Sequence, residues 1–214
     1  MGELPTKISR NLVAKEAARL LYLGFVNEYK DAKERASASL GIGALPSNIE
    51  IAYEVDKLAD EVEGQPRREL LIRLRKEAFE VMRILNNFYP RLIGSVWRGT
   101  CHRGSDIDVT VFSADPDAVV KTLRENGYQK MRTEWASKSE RGEVNTFLHI
   151  YLSLTSLDEV EVVVNDPRRL EEKEMCEIYG DLKKGLTISQ LSDVLKKDPI
   201  KKFVPKKRNY IVDR

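Results

Sequence analysis

Two short stretches of this chain alternate acid with aliphatic, and few folds accept that pattern. Asp106 and Asp108 are interleaved with Ile107, Val109 and Val111, while Glu159 and Glu161 are interleaved with Val160, Val162 and Val164. A period of two belongs to a strand, whose successive side chains point to opposite faces. Each stretch therefore predicts a strand with carboxylates along one face and an aliphatic row along the other. A sheet with one face packed and one face open meets both requirements. Acids side by side repel, and a bound cation is the compensation such an open face calls for.

The rest of the chain divides around these strands. Before residue 90 the apolar spacing is helical: Leu20, Leu21, Phe25 and Tyr29 recur as on one helix, and the Ser/Ala/Gly-rich stretch at 36–43 is read as its interruption. Ser47 with Glu50 forms a capping box ahead of Ile51, Val55, Leu58, Ala59 and Val62, and Gly64 closes that helix. Pro66 opens a third helix with Leu71, Leu74, Ala78, Val81, Met82 and Leu85 on one side, ending near Asn86 and Asn87. From Arg91 the period changes. Strands are predicted at 91–93, 105–112, 128–135, 144–154 and 159–165, with turns at 137–142 and 155–158 and a helix from Asp115-Pro116 to Gly127. Two more helices are predicted, at 168–179 and at 189–197, the second with Thr187 and Gln190 as a capping box.

The fold class is α+β, a mixed sheet packed with helices. Its expected domains are an N-terminal helical region at 1–65, a core at 66–166 and a C-terminal helical segment with a basic tail at 167–214. A chain of 214 residues is long enough for a core with a smaller attachment. Its 36 basic and 34 acidic residues nearly cancel, so net charge favours no class of partner. The distribution says more. Lys196, Lys197, Lys201, Lys202, Lys206, Lys207 and Arg208 face only Asp198, a run that is either a solvated tail or a nucleic-acid contact. Cys101 and Cys176 have no metal-ligand spacing, and the N-terminus lacks a signal-peptide pattern, which favours a reducing, cytoplasmic location. No apolar run approaches the roughly 20 residues that span a bilayer.

Just upstream of the first acidic pair lies a turn suited to phosphate. Gly94 lets the backbone come close to a ligand, and Ser95 can open a short helical turn whose N–H groups accept an anion. Together with two acids, this points to metal-dependent phosphoryl chemistry. A two-metal site needs a third acid from a neighbouring strand, because each ion takes about six oxygen ligands. Glu161, deeper in its apolar run, is preferred to Glu159, which sits at the turn.

The string Gly94-Ser95-x-x-Arg98-Gly99-Thr100, followed by Ser105-Asp106-Ile107-Asp108-Val109, resembles the signature of the DNA polymerase beta-like nucleotidyltransferase superfamily. The resemblance runs from about residue 70 to 166 and implies transfer of a nucleoside monophosphate from a nucleoside triphosphate, ATP being one candidate, to a hydroxyl acceptor. It implies that Gly94 and Ser95 hold the triphosphate, and that Asp106, Asp108 and Glu161 are the catalytic acids and ligands of two Mg2+ ions, with Mn2+ as a substitute. Arg98 is assigned either to the triphosphate or to a structural pairing within the loop. Trp97 is read as core ahead of a base-stacking role, and His102 and Arg103 as solvent-facing.

The acceptor is left open among a small molecule, RNA and a protein hydroxyl. Two other classes compete with the enzyme: a nucleotide-binding regulatory or interaction module of the same fold, antitoxin-like in recruiting a helical partner, and an RNA-binding protein using the basic C-terminus.

Overall fold

The computed structural model describes residues 6–140 and 143–205. They form two compact units, one comprising residues up to Arg67 with Met175–Leu182 and Pro205, the other Arg68–Glu174 and Lys183–Val204. The segment after 166 is thus divided between the units. Lys206, Lys207 and Arg208 of the basic run lie outside the described residues.

The first unit is built on α1 (Thr6–Tyr22), α2 (Tyr29–Leu40) and α3 (Asn48–Glu63). Its buried positions are mostly small: Ala14, Ala17, Ala18, Ala32 and Ala36, with Val13 and Ile51. Leu20 to Tyr29 does not run as one helix. Gly24 adopts the left-handed region at φ 69°, closing α1 and leaving Phe25 exposed. Most of the stretch at 36–43 is helical instead of an interruption, because alanine is the best helix former, and α2 stops only at Gly41, φ 64°. The capping box of Ser47 and Glu50 is present at the start of α3. Residues 168–179 contain no α-helix. Pro167–Arg169 makes one 3-10 turn capped by Asp166, and Met175 then bridges Leu182 in a small loop beside α3, where Asn48 donates to the Glu177 carbonyl. The run Arg168-Arg169-Leu170-Glu171-Glu172-Lys173-Glu174 has a single apolar residue, too little to anchor a helix.

The second unit is a five-stranded mixed sheet with helices on it. β1 (Arg91–Ile93), β2 (Ile107–Phe112), β3 (Met131–Glu140), β4 (Glu143–Ser153) and β5 (Glu159–Asn165) pair in the order β1-β2-β5-β4-β3. Only β2 and β5 are parallel. The β3–β4 hairpin is longer than the sequence suggests: residues 137–140 continue β3 instead of turning, since their backbone finds partners on β4 down to Glu140 opposite Glu143. Leu71, Leu74, Ala78, Val81, Met82 and Leu85 of α4 (Gln65–Ile84) share one core with Val119, Val120 and Leu123 of α6 (Pro116–Glu125). The aliphatic rows Ile107, Val109, Val111 and Val160, Val162, Val164 complete it. Each such side chain contributes about 1.5–3 kcal/mol when fully buried. α7 (Ile188–Lys197), opened by the Thr187–Gln190 capping box, adds Leu191 and Val194. With one row of each strand committed to this core, the alternate row is left on the open face.

Candidate active site

The open face gathers the acids on the two central strands. Asp108 on β2 stands in register with Glu161 on parallel β5, and Asp106 lies just ahead of β2. One carboxylate oxygen from each of Asp106, Asp108 and Glu161 falls within 4.8 Å of the others, the one cluster suited to a metal among the described residues. Asp106 is presented by a closed turn: the Ser105 hydroxyl accepts from the His102 N–H at 3.0 Å, and the Ser105 N–H donates to the His102 carbonyl at 2.9 Å. Glu159 is exposed at the start of β5 and outside the cluster.

Negative charge gathered at such distances raises the carboxyls of both aspartates. The Asp108 carboxyl is pushed up to about 7, first by burial and then by Asp106 and Glu161, with the Lys183 ammonium acting in the opposite direction. Asp106, though solvent-exposed overall, is raised too, first by desolvation and also by Glu161 and Glu159. A site that holds a carboxyl proton near neutral pH has too little positive charge of its own. A divalent cation fits that deficit, and the all-oxygen donor set suits a hard ion such as Mg2+ or Mn2+.

The turn at 94–95 stands directly against this cluster. α5 (Gly94–Arg98) begins where β1 ends, and Ile93 pairs with Asp108. Gly94 sits at φ 68°, and a Cβ there would lie 1.7 Å from Asp108 Oδ2. Its lack of a side chain is therefore required by the acid itself. Ser95 is partly exposed, and its carbonyl accepts from the Thr100 N–H at 3.0 Å, closing the helical turn.

Arg98 is buried, donates to the Phe203 carbonyl at 3.0 Å and lies 4.3 Å over the Trp97 ring, so its side chain is engaged within the protein. Trp97 is itself buried. His102 is partly exposed and Arg103 is exposed. α5 is also held from behind: fully buried Arg75 of α4 donates to the carbonyls of Val96, Trp97, Pro199 and Lys201 at 2.7–3.1 Å. Burial lowers its guanidinium to about 10.

Three residues at this site are missed by sequence reasoning. His149 Nδ1 lies 2.7 Å from Glu161 Oε1, Tyr151 stands opposite Glu161 on β4, and Lys183 is the cation felt by Asp108. Desolvation, followed by its hydrogen bond to Glu161, raises the Tyr151 phenol. The alternation of His149 and Tyr151 with buried Leu148, Ile150 and Leu152 is the one signal that placed them on the open face. Nothing in the sequence around Lys183 marks it.

A family model described as "Nucleotidyltransferase domain" matches residues 91–213, more than half of the chain. The chain belongs to the nucleotidyltransferase domain family. Family membership places it among the transferases, and the match covers the turn, all three acids, His149 and Lys183. Comparison with curated proteins gives no match. Among solved structures, this nucleotidyltransferase domain protein is similar to one described as a cytoplasmic RNA terminal U-transferase. The identity is 20%, the likeness covers 55% of this chain and 34% of that one, and the TM-score is 0.28. It is also similar to a chain of the GLD-2/RNP-8 complex, at 13% identity over 57% of this chain and 44% of that one, with a TM-score of 0.32. The chain thus spans a third to under a half of the length of these two. Among the described residues no helix is long and apolar enough to cross a membrane.

Proposed function

We propose that this protein transfers a nucleoside monophosphate from a nucleoside triphosphate to a hydroxyl acceptor, with release of pyrophosphate. The observation that supports it is the convergence of Asp106, Asp108 and Glu161 beside a glycine turn, within a nucleotidyltransferase domain. Asp106, Asp108 and Glu161 are the residues that would hold divalent cations, two of them in this reading. Such ions, when bound, supply charge neutralisation around the reacting phosphate.

The chain's own residues account for the remaining demands. The backbone at Gly94 and Ser95, opening α5 beside Asp108, takes the triphosphate tail. Arg75 and Arg98 fix α5 from its far end, so the turn is set before substrate arrives. A direct contact of Arg98 with phosphate would require it to leave Phe203 and Trp97. Lys183 adds positive charge on the same side as Asp108. Glu161 is the carboxylate placed to take the acceptor's hydroxyl proton as the new O–P bond forms at the α-phosphorus and the bond to pyrophosphate breaks. Little covalent chemistry falls to the protein, and its task is positioning and charge.

The test is to incubate the protein with each α-labelled nucleoside triphosphate and Mg2+ over a panel of small-molecule, RNA and protein acceptors, following label transfer and pyrophosphate. Label on one acceptor class, lost in D106N and D108N, is the expected result. The reading is refuted by the absence of both pyrophosphate release and Mg2+-dependent nucleotide binding.

A further inference from the structure

A glutamate in the third acidic position raises a mechanical problem. Its carboxylate stands on one more rotatable bond than an aspartate's, and Asp106 and Asp108 both repel it. Left alone, such an arm swings toward solvent, away from the two acids it must join. β4 carries what prevents this. Glu161 pairs directly with Tyr151 across the β4–β5 ladder, and His149 is the diagonal neighbour two residues away on the same face, within reach of a long side chain. Its Nδ1 meets Glu161 Oε1 at 2.7 Å, the length of a charge-assisted bond, with both side chains about one fifth exposed.

The imidazole is itself steadied. Its ring lies 6.4 Å from that of Tyr151 at an interplanar angle of 23°, and Tyr151 is covered in turn by the Arg132 guanidinium at 3.8 Å. Glu134, opposite His149 on β3, is engaged by Arg132 at 2.8 Å.

We propose that His149 is a positioning residue that fixes the Glu161 carboxylate toward Asp106 and Asp108 by donating its Nδ1–H to Oε1. This rests on the transfer reading for what the acids do, and on geometry alone for how they are held. With Nδ1 as donor the imidazole needs no second proton, so the tether is available in the neutral ring. A histidine at 149 thus makes a glutamate at 161 serviceable where a shorter acid would need no such support.

The substitutions H149L and H149N separate the roles. Leucine keeps bulk and removes the donor; asparagine returns an N–H on the atom equivalent to Nδ1. Each protein is followed by Mn2+ titration, read from the electron paramagnetic resonance of free Mn2+, by kcat and KM for the triphosphate, and by thermal unfolding to verify the fold. H149L is expected to bind Mn2+ more weakly and to lose about 10–100-fold in kcat, the usual range for partners that orient metal ligands, with KM within about twofold. H149N is expected to recover most of both. Mn2+ affinity unchanged in H149L, or H149N no better than H149L, would overturn the proposal. Wild-type protein that binds Mn2+ but shows neither pyrophosphate release nor metal-dependent nucleotide binding would sink the transfer reading, and the Mn2+ comparison would still decide this one.

Discussion

Replacing Asp108 with asparagine should stabilise the metal-free protein, and the size of the effect follows from the crowding of the acids. The Asp108 carboxyl moves from its ordinary 3.8 to about 7 in the folded chain, chiefly through burial and next through Asp106 and Glu161. A carboxyl whose folded pKa is raised takes up a proton on folding wherever the pH lies between the two values. Its contribution is therefore fully present below about 4 and is lost as pH rises through 7. The gap is about three pH units at roughly 1.4 kcal/mol each, so ionised Asp108 costs the folded state about 4 kcal/mol at pH 8. The substitution D108N removes that charge while keeping the side chain's shape. In a chelator, its urea midpoint should exceed that of wild type at pH 8 by the equivalent of up to about 4 kcal/mol, and the difference should fade toward pH 4. Both tryptophans of the chain, Trp97 and Trp135, lie in the sheet unit, so fluorescence reports the relevant transition. Mg2+ should narrow the gap at pH 8, since a ligand at 100 times its Kd adds about 2.7 kcal/mol to a protein that binds it. Parallel pH profiles for wild type and D108N between pH 4 and 8 would refute the reasoning.

Other substitutions probe the remaining supports. G94A places a methyl where Asp108 Oδ2 now sits, on a backbone that costs about 1–2 kcal/mol for an L-residue, so Mn2+ binding and activity should both collapse; retention of either in a folded protein contradicts the close approach. R75M leaves the buried carbonyls of Val96 and Trp97 and the part-buried ones of Pro199 and Lys201 without their donor, and at about 1–3 kcal/mol per buried orphan it should lower stability by at least about 2 kcal/mol in urea unfolding. E161Q should lose at least about 100-fold in kcat while E159Q stays within about threefold, because only Glu161 belongs to the cluster; equal effects in a label-transfer assay would count against the assignment.

What could be read from the sequence was what residues a few positions apart decide among themselves. Ser47 with Glu50 and Thr187 with Gln190 announce helix starts because donor and acceptor are three residues apart. The alternating strands at Asp108 and Glu161 were legible for the same reason, and so was the glycine turn. Features settled by distant partners were not. The Ser/Ala/Gly-rich stretch at 36–43 reads as an interruption, yet its alanines are helical, and it is Gly24 and Gly41 that take left-handed φ. Residues 137–140 read as a turn until β4 supplies their hydrogen bonds. The engagement of His149 with Glu161, of Arg75 with the carbonyls of α5 and of Lys183 with Asp108 depends on segments brought together only by the fold.

The register of Asp108 with Glu161 also bears on when the site comes into being. The two residues belong to neighbouring parallel strands, yet an entire helix and the β3–β4 hairpin intervene along the chain. Such a pairing closes a long loop, a slow kind of event compared with helix formation or the closing of a hairpin. As the polypeptide emerges from the ribosome, the Gly94 turn and both aspartates precede their third partner, and repulsion from Glu161 does not yet oppose the early steps. The third carboxylate's share of the electrostatic burden is added only when β5 inserts between β2 and β4, after every other strand has been synthesised.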